Sequence, residues 1–473
     1  MHPVASHNTS ELTITVGENR GTSSVFYPGS KICGEVIRIA PIQDRHTTLT
    51  IRFFGRARVR LRDWKSPRIC GRKTLFNLLG ENEREILLHS DAIDIGNGGP
   101  MALSWAYAFD IPDTSQVVAE LRSIRQKDMF VRHASGNLLP PSFSRRIHGP
   151  LAGSAAIVEY WLEAVMASSD GREVRATRPI RVGFFPTRIP KHHLEQDCPI
   201  HGIDGTVASY RLLVGAEDAR LTVGQSLRMA LVPLVVPRFE FILYVKVPLV
   251  AQAGNINFVP FTLVPYGDSI RSAVKLGRGK RKYRYTYSYS DFYVDELEVA
   301  IEEATEMLAE GIDGVYTDTD VQKHVICHYK HSWRTPTYTY LGFAESGKAL
   351  RVGELLKIRI PAMRGLHPDF ATYNIRVRHQ FCWDLVLSCV GKKVRVKGKT
   401  DIQMLGPPIP ASVKTPEGTV RTLSAPEEEK AKARFHEAEA RRPSHSDSDE
   451  IEWASVAAQP ESVRADGGKL PTM

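Results

Sequence analysis

The sequence predicts an all-β protein of two β-sandwiches. Three observations favour this fold: β-branched and aromatic runs recur over the first 410 residues, several runs alternate apolar with polar positions, and Gly, Pro or Asn turns separate them. The chain has 473 residues, about three times the ~150 residues of a usual domain, so two large sandwiches fit its length. Hydrophobic residues make up 42% and charged residues 24%, which excludes a wholly disordered or collagen-like chain.

The first sandwich is predicted over residues 10–186. Its strands are expected at 11–16, 31–39, 48–61, 104–111 and 156–166. Turn sequences such as YPGS and GNGGP lie between these runs, and turns of this kind join antiparallel strands. Residues 187–208 are rich in Pro, Gly and His, so they are expected to form a connector between the two domains.

The second sandwich is predicted over residues 209–410, with one helical insertion among its strands. The strands are expected at 211–214, 226–232, 239–247, 283–289, 354–360, 373–381 and 384–390. The helix is expected at 294–311, because acidic residues occupy its first turn and Gly311 lies where it would stop. Apolar residues recur along it at helical spacing, at Leu297, Ala300, Ile301, Ala304 and Leu308.

Residues 411–473 are predicted to form a disordered tail. The segment is rich in Glu, Ala, Ser and Pro and has two aromatic residues, too few to build a core. A short helix is expected at 425–442, where acids begin the segment and arginines end it. Candidate phosphorylation sites are Ser444, Ser446 and Ser448, which lie near arginines or acids. Each phosphate would add about −1.5 to −2 charges and so change the binding of a partner; a purely solubilising tail is the alternative.

The positive charge of the chain belongs to the two predicted domains. The 62 Lys and Arg residues exceed the 53 Asp and Glu residues, yet the tail alone holds 12 acidic and 9 basic residues, which leaves 53 basic against 41 acidic residues before it. This excess favours an anionic partner such as a membrane surface, a phosphorylated protein or a nucleic acid. No apolar run reaches the ~20 residues of a membrane-spanning helix and no signal peptide is readable at the amino terminus, so a cytoplasmic location is expected.

Two basic clusters are the candidate contacts for anions. The first comprises Arg56, Arg58, Arg60 and Arg62. They alternate with apolar residues, so a strand places all four on one face, a geometry suited to the phosphates of a lipid or a phosphopeptide; a solvated strand face is the alternative. The second cluster comprises Lys280, Arg281 and Lys282. Because tyrosines lie beside it, this cluster suits anionic lipid or single-stranded nucleic acid, and an exposed hairpin tip is the alternative.

No catalytic activity, cofactor or metal is expected. Zinc-binding residue types occur close together at His192, His193, Cys198 and His201, and a second set is Cys327, His328, His379 and Cys382. Neither set has the spacing of a zinc finger, so a connector with neighbouring histidines and cysteines packed in strands are the simpler interpretations. The sequence contains no G-x-S-x-G, phosphate-loop, G-x-G-x-x-G or H-E-x-x-H motif. Six cysteines in so long a chain are too sparse for a disulfide framework.

The order of several phrases resembles the arrestin family in its fungal, α-arrestin form. The phrases lie at 15–38, 48–61, 104–113, 137–143, 367–393 and 401–408. They include a Tyr-Pro-Gly turn before a Gly-Glu-Val strand, a Leu-Pro-Pro-Ser-Phe turn and a closing Leu-x-Cys-x-Gly-Lys phrase. The resemblance implies two tandem immunoglobulin-like β-sandwiches, which are the amino- and carboxy-terminal arrestin domains. It also implies a non-catalytic adaptor in endocytic trafficking, ubiquitination or signalling. Such adaptors bind cytoplasmic segments of membrane transporters or receptors, peripherally at the plasma membrane or endosomes.

The sequence departs from the ligase-recruiting members of that family. Those members bring a HECT-type ubiquitin ligase to their cargo through a Pro-Pro-x-Tyr motif, which presents Tyr to a WW-domain groove. Here Pro140-Pro141 precedes Ser-Phe and Pro407-Pro408 precedes Ile-Pro, so recruitment of a ligase is expected to be indirect. Two other functions stay open: a basic nucleic-acid-binding protein and a zinc-dependent protein that uses the 192–201 cluster. The family resemblance favours the adaptor, with no nucleic acid as partner.

Overall fold

The described strands form four sheets in the computed structural model. The structure describes residues 11–17, 25–61, 73–79, 85–95, 102–115, 130, 138–147, 153–184, 198–212, 220–231, 236, 238–255, 257–266, 292–311, 314–330, 349–361, 365–389 and 392–407. Several predictions lie outside these residues. They are the tail at 411–473 with its helix at 425–442 and its serines Ser444, Ser446 and Ser448, the strand at 283–289, and the site residues Arg62, His192, His193, Lys280, Arg281 and Lys282.

The first sandwich is formed by ten described strands. They are β1 (Leu12–Val16), β2 (Val25–Phe26), β3 (Lys31–Arg38), β4 (Ile42–Arg60), β5 (Lys73–Asn77), β6 (Glu85–Ile95), β7 (Leu103–Asp110), β8 (Phe143–Arg146), β9 (Ala155–Ser168) and β10 (Glu173–Val182). One sheet has the order β1-β3-β7, and the other has the order β2-β10-β9-β4-β5, with β6 paired to β4 and β8 paired to β9. Apart from the parallel pair of β2 and β10, neighbours are antiparallel.

The second sandwich contains the remaining described elements. They are β11 (Ile200–Ala208), a 3-10 turn (Tyr210–Leu212), α1 (Val223–Leu231), β12 (Arg238–Lys246), β13 (Val250–Gln252), β14 (Thr262–Tyr266), β15 (Phe292–Gly311), β16 (Gly314–Lys330), α2 (Val352–Leu355), β17 (Phe370–Ala371), β18 (Ile375–Cys389) and β19 (Lys392–Leu405). One sheet has the order β11-β12-β14, and the other has the order β13-β19-β18-β15-β16, with β17 paired to β18. The all-β fold predicted from the sequence is confirmed.

The helical insertion predicted at 294–311 is wrong, because these residues form most of the twenty-residue strand β15. β15 lies in the middle of its sheet and pairs with β16 on one side and β18 on the other, so the sheet takes the backbone hydrogen bonds that a helix would make internally. Leu297, Val299 and Ile301 alternate into the core and are fully buried. The alternation continues with Glu303 at an inward position, and this acidic residue hides the period of two in the sequence.

The strand predicted at 226–232 is also wrong, because α1 occupies residues 226–231. The Thr222 N–H donates to Gln225 Oε1 at 2.9 Å, and the Gln225 N–H donates to Thr222 Oγ1 at 3.2 Å. This reciprocal pair is a capping box, which starts a helix by satisfying free backbone donors. Smaller differences occur elsewhere: 211–212 lie in the 3-10 turn, 354–355 end α2, and β11 occupies the last part of the predicted connector.

The two apolar cores meet through the ends of the longest strands. One core contains residues of the second sandwich, among them Phe261, Phe381 and Trp383. The other contains the first sandwich and four residues from the ends of β15 and β18. These four are Met307, Ala309, Ile375 and Val377. β15 and β18 therefore reach beyond their own sandwich and pack against the first one.

Candidate functional site

The predicted arginine ladder lies on the outer face of β4. Its odd-numbered neighbours Ala57 and Val59 are fully buried, whereas Arg56, Arg58 and Arg60 remain partly exposed. Arg52 lies on the same face and pairs with Glu85 of β6 at 2.9 Å. The strand period of two thus puts the described arginines of the ladder on one surface, which we call the basic face.

A single carboxylate serves two arginines of the basic face. Glu159 of β9 places Oε1 2.7 Å from Nε of Arg56 and 3.0 Å from Nε of Arg58. Burial lowers the pKa of Arg58, and the neighbouring Glu159 opposes that shift. The Arg56 guanidinium also lies over the Trp161 ring, 4.6 Å from its centroid, a cation–π contact. Arg56 and Arg58 each carry one positive charge and Glu159 carries one negative charge, so these three side chains together have a formal charge of +1.

A second polar group lies between the two sandwiches, and the sequence analysis missed it. We call it the interdomain cluster, and its members are Arg145, Glu303, Asp320, His367, Asp369 and His379. Arg145 comes from β8 of the first sandwich, and its guanidinium lies 3.3 Å from Oε1 of the fully buried Glu303 and 2.7 Å from Oδ2 of Asp320. Nearby, Ser154 Oγ donates to Asp318 Oδ2 at 2.6 Å. Polar contacts from Arg145 of β8 and from Ser154, just before β9, therefore reach β15 and β16.

Two histidines hold the buried Glu303 carboxylate from the side of the second sandwich. The backbone N–H of His367 donates to Glu303 Oε2 at 2.7 Å, and the His367 ring places Nδ1 3.2 Å from Oε1. His379 places Nε2 3.4 Å from Glu303 Oε2 and Nδ1 2.5 Å from Asp369 Oδ1. Since both ring nitrogens of His379 face carboxylates, the ring is best satisfied when both nitrogens carry protons.

The titration of the cluster follows from these contacts. Burial alone raises the pKa of Glu303, but the hydrogen bonds from His367 and His379 outweigh burial and lower the pKa to about 2. Burial also acts on His379 and lowers its pKa, and the bonds to Asp369 and Glu303 again outweigh it, so the pKa is raised. The pKa of Asp369 is raised by its burial, against the effect of His379. The geometry therefore favours a charged Glu303 facing a protonated His379.

Aromatic contacts surround the interdomain cluster. Phe143, the last residue of the Leu-Pro-Pro-Ser-Phe turn, packs edge-on against the His367 ring with centroids 4.8 Å apart, and against Phe370 at 5.2 Å. These contacts cover one side of the charged pairs with apolar surface. Excluding water in this way strengthens the electrostatic interactions inside the cluster. The signals in the sequence were the inward acidic residue of β15 and the paired arginines of β8, but only the fold brings them together.

The candidate metal-ligating residues do not form a site in the described part of the chain. Cys327 and Cys382 lie on β16 and β18, which flank β15 on opposite sides, so two strand spacings, roughly 9.5 Å, separate them. Burial raises the pKa of Cys382 to about 11 and raises that of Cys327, which favours thiols over metal-binding thiolates. His201 packs against the Trp383 ring with centroids 5.4 Å apart. No group of three such side chains among the described residues is placed to hold a metal ion.

Comparison with protein-family models gives no match to this chain, and comparison with curated proteins gives no significant match. Among the described residues, neither helix has the length and the apolar composition of a membrane-spanning segment.

Proposed function

We propose that this protein is a non-catalytic, arrestin-like adaptor that binds cytoplasmic segments of membrane transporters or receptors at an anionic membrane surface. The proposal draws on the arrestin-like order of sequence phrases and on the architecture of two mostly antiparallel sandwiches. A peripheral location at the plasma membrane or endosomes accords with the basic composition of residues 1–410. Recruitment of a HECT-type ubiquitin ligase would need an intermediate, because the Pro-Pro-x-Tyr motif is missing.

The observation that carries the proposal is the basic face. Arg56 and Arg58 share Glu159, and Arg60 extends the same row along β4. Guanidinium groups arranged in a row on a rigid strand are preorganised for phosphate oxygens, which they bind with charge-assisted hydrogen bonds. The sheet holds the row in place, so a phosphate surface can bind without first ordering flexible side chains from a loop.

Vesicle binding by the full chain tests this proposal. The protein is sedimented with phosphatidylcholine vesicles, with and without phosphatidylserine, at physiological salt and with RNA as competitor. Arg60→Glu should weaken binding to the anionic vesicles by roughly thirtyfold, because each basic residue near an anionic surface contributes about 1 kcal/mol and reversal counts twice. Lys31→Glu is the matched control, since it makes the same change of charge at an exposed position of the other sheet.

Two outcomes contradict the proposal. Equal losses of vesicle binding in Arg60→Glu and Lys31→Glu would show that net charge, and not the basic face, determines binding. Tight RNA binding that displaces the protein from vesicles would support the nucleic-acid function instead, and its salt dependence would measure the number of phosphate contacts.

A further inference from the structure

Helix α1 presents its apolar stripe to solvent and not to the protein. Val223, Leu227 and Leu231 follow each other at intervals of four residues and are 86%, 57% and 70% exposed. Ala230, on the same stripe, is also exposed. The opposite side of the helix carries Gln225 and Met229, and only these two residues of α1 are partly buried.

This orientation is the reverse of the usual one. A surface helix of a soluble protein normally turns its apolar stripe to the core and its polar side to water. In α1 the polar Gln225 lies toward the body of the protein, where its side chain also completes the capping box with Thr222. The cap fixes the start of the helix. Val223 and Leu227 face outward.

An apolar ridge that faces water is stable only at a cost, since apolar surface is driven out of water. The ridge is convex and continuous over two turns of helix. A bilayer interface accepts such a ridge without any complementary groove, and helices of this type lie in the headgroup region with the apolar side buried by ~5–10 Å.

The charged residues within 220–231 are both positive, which suits an anionic bilayer. Arg220 lies just before the helix and Arg228 lies on it, and both are exposed. There is no acidic residue from Arg220 to Leu231. On the helix, Arg228 follows Leu227 by one position, about 100° around the axis, so its guanidinium can extend to lipid headgroups when Leu227 is buried.

We infer that α1 is an interfacial helix that inserts Val223, Leu227 and Leu231 into an anionic membrane. This inference deepens the proposed function, because it names a lipid contact that is separate from the basic face and adds insertion to electrostatic attraction. The helix has nine residues and a short stripe, so it would act together with other contacts and not as a lone anchor.

Hydrogen–deuterium exchange on the full chain tests insertion directly. Amides of 223–231 should exchange more slowly when phosphatidylserine-containing vesicles are present, and phosphatidylcholine vesicles should have a smaller effect. Leu227→Glu should weaken vesicle binding by roughly tenfold or more, since it removes a buried leucine side chain and adds a charge. Leu138→Glu is the matched control, because Leu138 is 58% exposed and lies on the first sandwich.

The outcomes separate this inference from the proposed function. If Arg60→Glu weakens binding while Leu227→Glu behaves as wild type and 223–231 gains no protection, the helix inference is overturned and the basic face stands. If Leu227→Glu alone weakens binding, the helix inference is supported and the role of the basic face is overturned. Dimerisation that Leu227→Glu abolishes, without protection by vesicles, would overturn the inference in favour of a second copy of the chain as the occupant.

Discussion

Replacing Arg145 by methionine should destabilise the contact between the two sandwiches. Arg145 is 8% exposed and its partner Glu303 is fully buried, and breaking a buried pair by removing one partner typically costs 3–5 kcal/mol. Glu303 keeps two donors from His367 and His379 after the change, which places the expected loss near the lower limit, at about 3 kcal/mol. Met fills much of the arginine volume, so the loss reports charge more than packing.

Urea unfolding of the full chain measures this loss, followed together by far-ultraviolet circular dichroism and tryptophan fluorescence. A chain of two domains need not unfold in one step, so the unfolding transitions followed by the two signals are compared. Transitions that differ in midpoint in Arg145→Met would indicate early loss of the contact between the domains. A double-mutant cycle with Glu303→Gln should give a coupling free energy of about 1–3 kcal/mol. Arg175→Met is the control. Arg175 pairs with Glu173 in solvent, so its replacement should leave the urea midpoint unchanged.

The reasoning would be refuted by a loss in Arg145→Met that is no larger than the loss in Arg175→Met. A cycle in which the Arg145 and Glu303 changes simply add would also contradict it, because two side chains that interact cannot be independent.

Three further predictions follow from the structure. The pKa of Glu303 is lowered from 4.5 to about 2, so the urea midpoint should fall as the pH drops below 4.5. The pKa of His379 is raised above 6.5, so the midpoint should also fall as the pH rises above 6.5, and His379→Gln should remove this alkaline decline. Gly34→Ala should lower stability by roughly 1–3 kcal/mol in the same urea assay, because the new Cβ would lie 2.1 Å from the Thr15 carbonyl oxygen. Thr222→Ala should speed amide exchange in α1, because removing the cap costs about 1 kcal/mol.

Most of the fold could be predicted because strand signals are local. β3, β7, β9 and β12 match the predicted runs closely, and each combines β-branched or aromatic residues with a clear boundary. β15 could not be predicted in this way, since a strand with neighbours on both sides owes its structure to pairing across the sheet. Its alanines and glutamates favour a helix in isolation, and tertiary contacts override that preference.

The candidate sites differ in how much of each could be predicted from the sequence. The basic face depends on a period of two within one strand, so its geometry could be predicted from the sequence. Its net charge could not be predicted, because Glu159, which pairs with Arg56, lies 103 residues away in the chain. The interdomain cluster joins residues from β8, β15 and β18, and no local pattern connects them. α1 had a readable signal in the capping-box spacing of Thr222 and Gln225, which the alternation of Leu227, Met229 and Leu231 concealed.

The interdomain cluster also explains why β15 carries an acidic residue at a core position. An uncompensated carboxylate there would be expelled from the protein interior, so Glu303 is tolerable only where Arg145, His367 and His379 converge on it. An apolar contact would allow many similar arrangements of the two sandwiches. The buried ion pair forms only in an arrangement that brings Arg145 of β8 to Glu303 of β15. We therefore expect the charge on Glu303 to contribute to the relative position of the two sandwiches, and Glu303→Leu should leave each sandwich folded while loosening their mutual orientation. Small-angle scattering of that variant beside wild type would measure the difference, and an unchanged profile would contradict this role.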